Sequence, residues 1–162
     1  MSIQLSETIT ALLNDPAGIK ALATNDQHGT PHVVYKGSLS VNSEGKIQYL
    51  ELNELSQTNK NLTYSIWFNR FISINVLAPD RTSYQIKGKP VKAVISGPVF
   101  EANYIAVRER LGEDADLSTV WIIDPEEVRE ETPSVRRKEE RESHPLIGHL
   151  DRFVRQTGSD TV

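Results

Sequence analysis

The sequence predicts a mainly β fold, in which six strands form a small antiparallel barrel with short helices at its ends. Three observations predict it. Apolar and polar residues alternate with a period of two through most of the runs before Asp124. Turn signatures separate successive runs and make hairpins the dominant connection. Helical patterns are few and short, so the regular strand–helix alternation of a parallel sheet is missing. At 162 residues the chain is long enough for one compact domain with a real core.

The elements follow in order. Ser6 caps a short helix whose apolar residues Leu5, Ile9, Leu12 and Leu13 share one face, and Asn14-Asp15-Pro16 stops it. Ile19 to Asn25 reads as a strand, Asp26-Gln27-His28-Gly29 as a turn, and Pro31 to Val41 as one long second strand. In that strand Val33, Tyr35, Gly37, Leu39 and Val41 share one face, which leaves His32, Val34, Lys36, Ser38 and Ser40 on the other, with His32 read as a polar outward residue. Asn42-Ser43-Glu44-Gly45 turns the chain into a strand from Lys46 to Leu52. The polar stretch Asn53 to Thr63 holds a short helix marked by Leu55, Leu62 and Ile66, capped by Ser56 or Thr58.

Arg70 to Leu77 returns to strand with Ile72, Ile74 and Val76 inward, and Ala78-Pro79-Asp80-Arg81 turns it. A very long strand runs from Ser83 to Ser96, with Gly88-Lys89-Pro90 as a bend or bulge. Pro98 opens a helix striped with Phe100, Tyr104, Val107 and Leu111 and ended by Gly112. Ser118 to Ile123 is the last strand, ended by Asp124-Pro125. The expected organisation is a barrel domain over residues 1–128, a charged linker over 129–142, and a C-terminal amphipathic helix and tail over 143–162, built on Leu146, Ile147, Leu150, Phe153 and Val154.

Composition excludes several functions. A net charge of -4 lacks the cation excess of a nucleic-acid surface. The absence of cysteine removes disulfides, thiolate metal sites and thiol nucleophiles. His144 and His149 stand five apart, which fits no helical metal pair, so no metal site is expected. No apolar run is long enough to cross a bilayer, and Met1 to Glu7 carries no signal-peptide pattern, so a cytoplasmic protein that does not engage membranes is expected. No Ser-His-Asp set, metal cluster or Gly-rich phosphate loop offers a catalytic centre of the protein's own.

Three segments in order carry a family resemblance over roughly residues 10 to 128. They are the opening hairpin Ala21 to Val34 with its Gly29-Thr30-Pro31 turn, the polar loop Thr58-Asn59-Lys60-Asn61-Leu62, and the long strand Ser83 to Pro90 with a central Gly88. Together they resemble the FMN-binding split barrels of the pyridoxamine 5'-phosphate oxidase-like superfamily. The resemblance implies a six-stranded antiparallel split barrel of Greek-key type with short flanking helices, acting as a homodimer with FMN between the subunits.

Carried over residue by residue, it implies that the strand backbone of His32, Val33, Val34 and Tyr35 and of Tyr49, Leu50 and Glu51 lines the ring slot. It further implies that Ser56, Thr58, Lys60 and Asn61 supply phosphate donors, helped by a helix N-terminus near Thr58. Arg81, Tyr84 and Gln85 are implied contacts from the partner subunit. Val91, Ala93, Ile95, Trp121 and Ile123 are the residues expected at the dimer interface.

The implied activity is an FMN-dependent oxidoreductase acting on a small molecule. A flavin carrier without turnover, or a barrel that has lost flavin, stands beside it. Glu51, Asn53 and Glu54 place negative charge near the implied phosphate loop, a departure from the family pattern. No Arg-Leu-x-Pro segment is present near the C-terminus, which argues against oxidation of pyridoxamine phosphate itself.

Overall fold

The computed structural model describes residues 1–144. Its elements are α1 (Glu7–Asn14), β1 (Ile19–Asn25), β2 (Pro31–Tyr35), β3 (Leu39–Val41), β4 (Ile47–Glu51), α2 (Gln57–Trp67), β5 (Ile72–Leu77), β6 (Ser83–Val94), α3 (Pro98–Leu111), β7 (Thr119–Glu130) and α4 (Pro133–Ser143). The seven strands form one antiparallel sheet in the order β2-β1-β5-β6-β7-β4-β3. The count is seven rather than the expected six, because the run from Pro31 to Val41 divides after Tyr35.

That division closes the barrel. β2 and β3 lie at opposite edges of the sheet, yet only Lys36, Gly37 and Ser38 join them. Laid flat, seven strands would hold their edges about 29 Å apart, whereas the linker spans at most about 14 Å. The sheet must therefore curl until its edges approach. Buried Lys20 on β1 fastens the closure, donating to the carbonyls of Leu13 at 2.9 Å, Asp15 at 2.9 Å and Leu39 at 3.1 Å.

The barrel core gathers Leu22, Leu39, Ile47, Tyr49, Ile74, Val76, Ile86, Trp121 and Ile123, all at most 2 % exposed. Helix α1, capped by Ser6, closes one end with Leu5, Ile9 and Leu13, and α2 closes the other with Leu62. On the opposite face of β7, α3 buries Val107 against Val120 and Ile122, with Phe100 and Tyr104 beside them. Leu111, expected in the same stripe, is exposed at the end of the helix.

β6 bends where the bend is expected, with register shifts after Lys87 and after Pro90. Gly88 is required there, since a Cβ at this position would stand 2.5 Å from the Asp124 carbonyl oxygen. The same bulge carries β7 past Asp124-Pro125 to Glu130, correcting the expected strand end at Ile123. The charged run beyond it is ordered as α4, opened by Pro133. The amphipathic helix expected from Leu146 to Val154 lies outside the described residues.

Candidate functional site

The first turn of α2 is bolted to the sheet. Ser56 is its N-cap and accepts from the Asn59 amide at 3.0 Å. Its own hydroxyl donates to Glu51 Oε2 at 2.6 Å, and Tyr49 Oη donates to the same oxygen at 2.8 Å. The Asn53 amide donates to Glu51 Oε1 at 3.0 Å. Burial, followed by the bond to Glu51, pushes the Tyr49 phenol far above its usual value, so it stays a donor. From the other side Trp121 Nε1 donates to Asn59 Oδ1 at 2.9 Å, tying the turn to β7.

Next to this turn lies a second polar cluster, buried at its centre and reaching the surface at Gln57. Asn61 donates to Thr24 Oγ1 at 2.9 Å and accepts from Gln57 at 2.7 Å. Thr58 Oγ1 lies 3.3 Å from His32 Nε2, joining α2 to β2. Thr24, Thr58 and Asn61 are buried, and His32 is half-buried. Above them a cleft of about 380 Å³ runs between the β1–β2 turn, at Asp26, Gln27 and His28, and the α2 face bearing Gln57, Lys60, Asn61 and Tyr64. Its size falls within the range of small-ligand sites.

The outer edge of β2 is open. Asp26 and Lys36 donate their amides to the Thr30 and Lys20 carbonyls, which fixes the phase of the β1–β2 ladder. By antiparallel alternation, the N–H and C=O groups of Val33 and Tyr35 then point away from β1. Among the described residues no backbone partner meets them. Their side chains are exposed as well, Val33 by 63 % and Tyr35 by 78 %. A row of alternating donors and acceptors beside an apolar surface fits the polar rim and flat face of a heteroaromatic ring, and such a strand edge is ordinarily covered.

The expected site residues therefore divide. His32, Thr58, Lys60 and Asn61 come together around α2 and β2, and Val33 and Tyr35 provide the open edge. His32 and Val34 face inward while Val33 and Tyr35 face out, the reverse of the outward place expected for His32. The reversal follows from the pairing with β1, where Leu22 and Thr24 opposite Val34 and His32 are the buried residues.

Tyr49, Leu50 and Glu51 pair with Trp121, Val120 and Thr119 of β7, Tyr49 also faces Leu39 of β3, and the Leu50 carbonyl accepts from Ser38 Oγ at 2.9 Å. Ser56 is occupied by its cap and by Glu51, so it is no free phosphate donor. Gln85 lies on the outer sheet face, in the cross-strand row Tyr35–Ala21–Asn75–Gln85. Tyr84 points to the inner face, and Arg81 sits exposed in the β5–β6 turn. Within one subunit Arg81, Tyr84 and Gln85 stand at the Lys20 end of β1, about 13 Å along the strand from Thr24. Val91 and Ile95 are exposed, whereas Trp121 and Ile123 belong to the core rather than to an interface.

The alternation places Lys36 on the strand face shared by His32, Val34, Ser38 and Ser40. Its ammonium lies 5.2 Å from the centre of the Tyr49 ring, in the gap between the barrel's two edges.

No family model matches the chain, and no curated protein matches it. Solved structures do. HupZ of Group A Streptococcus is 22% identical, with a TM-score of 0.66 over 80% of this chain and 96% of that one. An FMN-binding protein from Syntrophomonas wolfei subsp. wolfei is 13% identical, with a TM-score of 0.64 over 75% of this chain and 82% of that one. A protein from Lactobacillus delbrueckii described as a pyridoxamine 5'-phosphate oxidase by similarity is 21% identical, with a TM-score of 0.55 over 78% of this chain and 93% of that one. At these identities the shared property is the fold.

Proposed function

We propose that this chain, which has the split-barrel fold of the pyridoxamine 5'-phosphate oxidase-like proteins, is an FMN-binding flavoprotein that serves oxidoreduction of a small molecule as a homodimer. The observation that carries the reading is the open β2 edge at Val33 and Tyr35, set beside the polar first turns of α2. FMN has a flat ring with a polar rim and an anionic tail, and these groups meet each part. Val33 and Tyr35 would hold the rim by backbone bonds. Lys60 and Gln57, which line the cleft, are the groups left to face the tail, since Ser56 is committed to Glu51. When bound, the flavin supplies the electron or hydride chemistry, and the protein supplies orientation and electrostatics.

What the chain itself does is hold and exclude. The network from Trp121 through Asn59, Ser56, Glu51 and Tyr49 fixes the start of α2 against the sheet, so the cleft is preorganised before any ligand arrives. Ile19, Ala21, Ala23, Val33 and Tyr35 make the outer face of β1 and β2 apolar where a solvated sheet would be polar. A second subunit seated on this face would cover the apolar residues and seal the strand edge, placing the flavin between two chains.

Absorbance spectra of the purified protein, with and without added FMN, test the reading. Perturbation of the flavin bands together with turnover of NADH or NADPH with an acceptor supports it in full. Perturbation without turnover supports a flavin carrier. Lack of any effect on the flavin bands overturns it.

A further inference from the structure

A buried carboxyl of the protein itself stands directly behind the N-cap of α2, one hydrogen bond from the Ser56 hydroxyl that caps the helix. Glu51 is 2 % exposed, and each of its contacts is one in which the carboxyl accepts: Tyr49 Oη, Ser56 Oγ and the Asn53 amide. That is the bonding pattern of an ionised side chain. A helix N-terminus offers roughly half a positive elementary charge to an incoming anion. A full negative charge set directly against the capping residue more than cancels it.

The nearby cations are few. Arg70 stacks over Tyr64, 5.3 Å from the ring centre and about two turns from the helix start, and among Lys36, Lys46 and Lys60 the second is paired with Asp124 at 2.6 Å. Lys60 is exposed and Lys36 lies over the Tyr49 ring, so neither provides a forked, two-bond grip on a phosphate. Asp26 faces Lys60 across the cleft, and Glu54 is exposed two residues before the cap.

Resting on the flavin reading, we propose that Glu51 is a specificity-determining residue which, as the resident anion of α2, cancels the site's preference for a phosphorylated ligand. The flavin is then held by its ring, riboflavin and FMN bind comparably, and the bound flavin exchanges with the pool. Glu51 touches no ligand in this scheme. It acts through Ser56 and the field at the helix start.

The test is a pair of fluorescence titrations, with FMN and with riboflavin, on the wild type and on Glu51→Gln, which keeps the side chain's shape and removes its charge. In the wild type the two Kd values should differ by less than about fivefold. In Glu51→Gln the FMN Kd should improve, relative to riboflavin, by about fivefold or more, with riboflavin nearly unchanged. A purely structural role for Glu51 would weaken both flavins alike. A larger wild-type preference for FMN, or an unaltered ratio in the variant, overturns the proposal. If Glu51→Gln fails to fold, the wild-type ratio alone decides. Failure of the wild type to bind either flavin overturns the flavin reading and this proposal with it, a result distinct from flavin binding with the wrong ratio.

Discussion

Lys20 places its ammonium 3.1 Å from the Leu39 carbonyl oxygen, so a side chain of β1 ties down β3, the far edge of the same sheet. Two more carbonyls, at Leu13 and Asp15, complete its shell at the end of α1. Lys20→Met keeps the length and strands three buried acceptors, so it should cost about 2–4 kcal/mol at neutral pH, measured by denaturant unfolding. Burial lowers the Lys20 pKa, Asp15 opposes the shift and Arg110 adds to it. Between that depressed value and the ordinary 10.5 the unfolded chain binds more protons than the folded one, so stability from this group rises with pH there. The penalty of Lys20→Met should accordingly be larger near about pH 10 than at neutrality. A penalty that shrinks would contradict this account of the closure.

Trp121→Phe should loosen the first turn of α2 while leaving the barrel folded. The variant keeps most of the buried ring and deletes the bond to Asn59. The expected loss is about 0.5–1.5 kcal/mol, with faster hydrogen exchange at the amides of Asn59 to Leu62. Unchanged exchange in α2 would mean that Trp121 serves the core alone.

The dimer has a direct handle in Val33 and Tyr35, whose side chains are exposed within one subunit. Replacing both by lysine should leave the monomer fold intact, since surface changes usually cost within about 0.5 kcal/mol. Sedimentation equilibrium should show a wild-type dimer and a dissociated variant. A wild type that is monomeric at micromolar concentration rules out a flavin site shared by two subunits.

Lys60 is exposed, so its contribution to phosphate binding is screened by water. Lys60→Ala should weaken FMN by about 0.5–1 kcal/mol and leave riboflavin unaffected, measured by titration of both. Equal losses for the two flavins would place Lys60 in the scaffold.

Much of the fold was legible because its signals are local. The turns at Asp26–Gly29 and Asn42–Gly45 form as their side chains predict, with Asp26 and Asn42 each accepting backbone amides and Gly29 and Gly45 at positive φ. Ser6, Ser56, Pro98 and Gly112 bound their helices. The break after Tyr35 was missed because alternation continues unbroken from Val33 to Val41, and only the change of pairing partner from β1 to β4 reveals it. The commitment of Ser56 to Glu51 was equally hidden, since it depends on β4 lying under the start of α2. Trp121, expected at the interface, lies in the core, because an aromatic strand residue buries a large area in either place and its sequence pattern does not tell them apart.

The account stands most directly on whether the open β2 edge and the α2 cleft take a flavin. Titrating the purified protein with FMN at micromolar concentration and following flavin fluorescence should give saturable quenching with one site in each subunit, and the quenching should weaken in the Val33 and Tyr35 lysine variant. Fluorescence that stays that of free FMN throughout, or a purified protein carrying a haem Soret band in place of flavin absorbance, would contradict it.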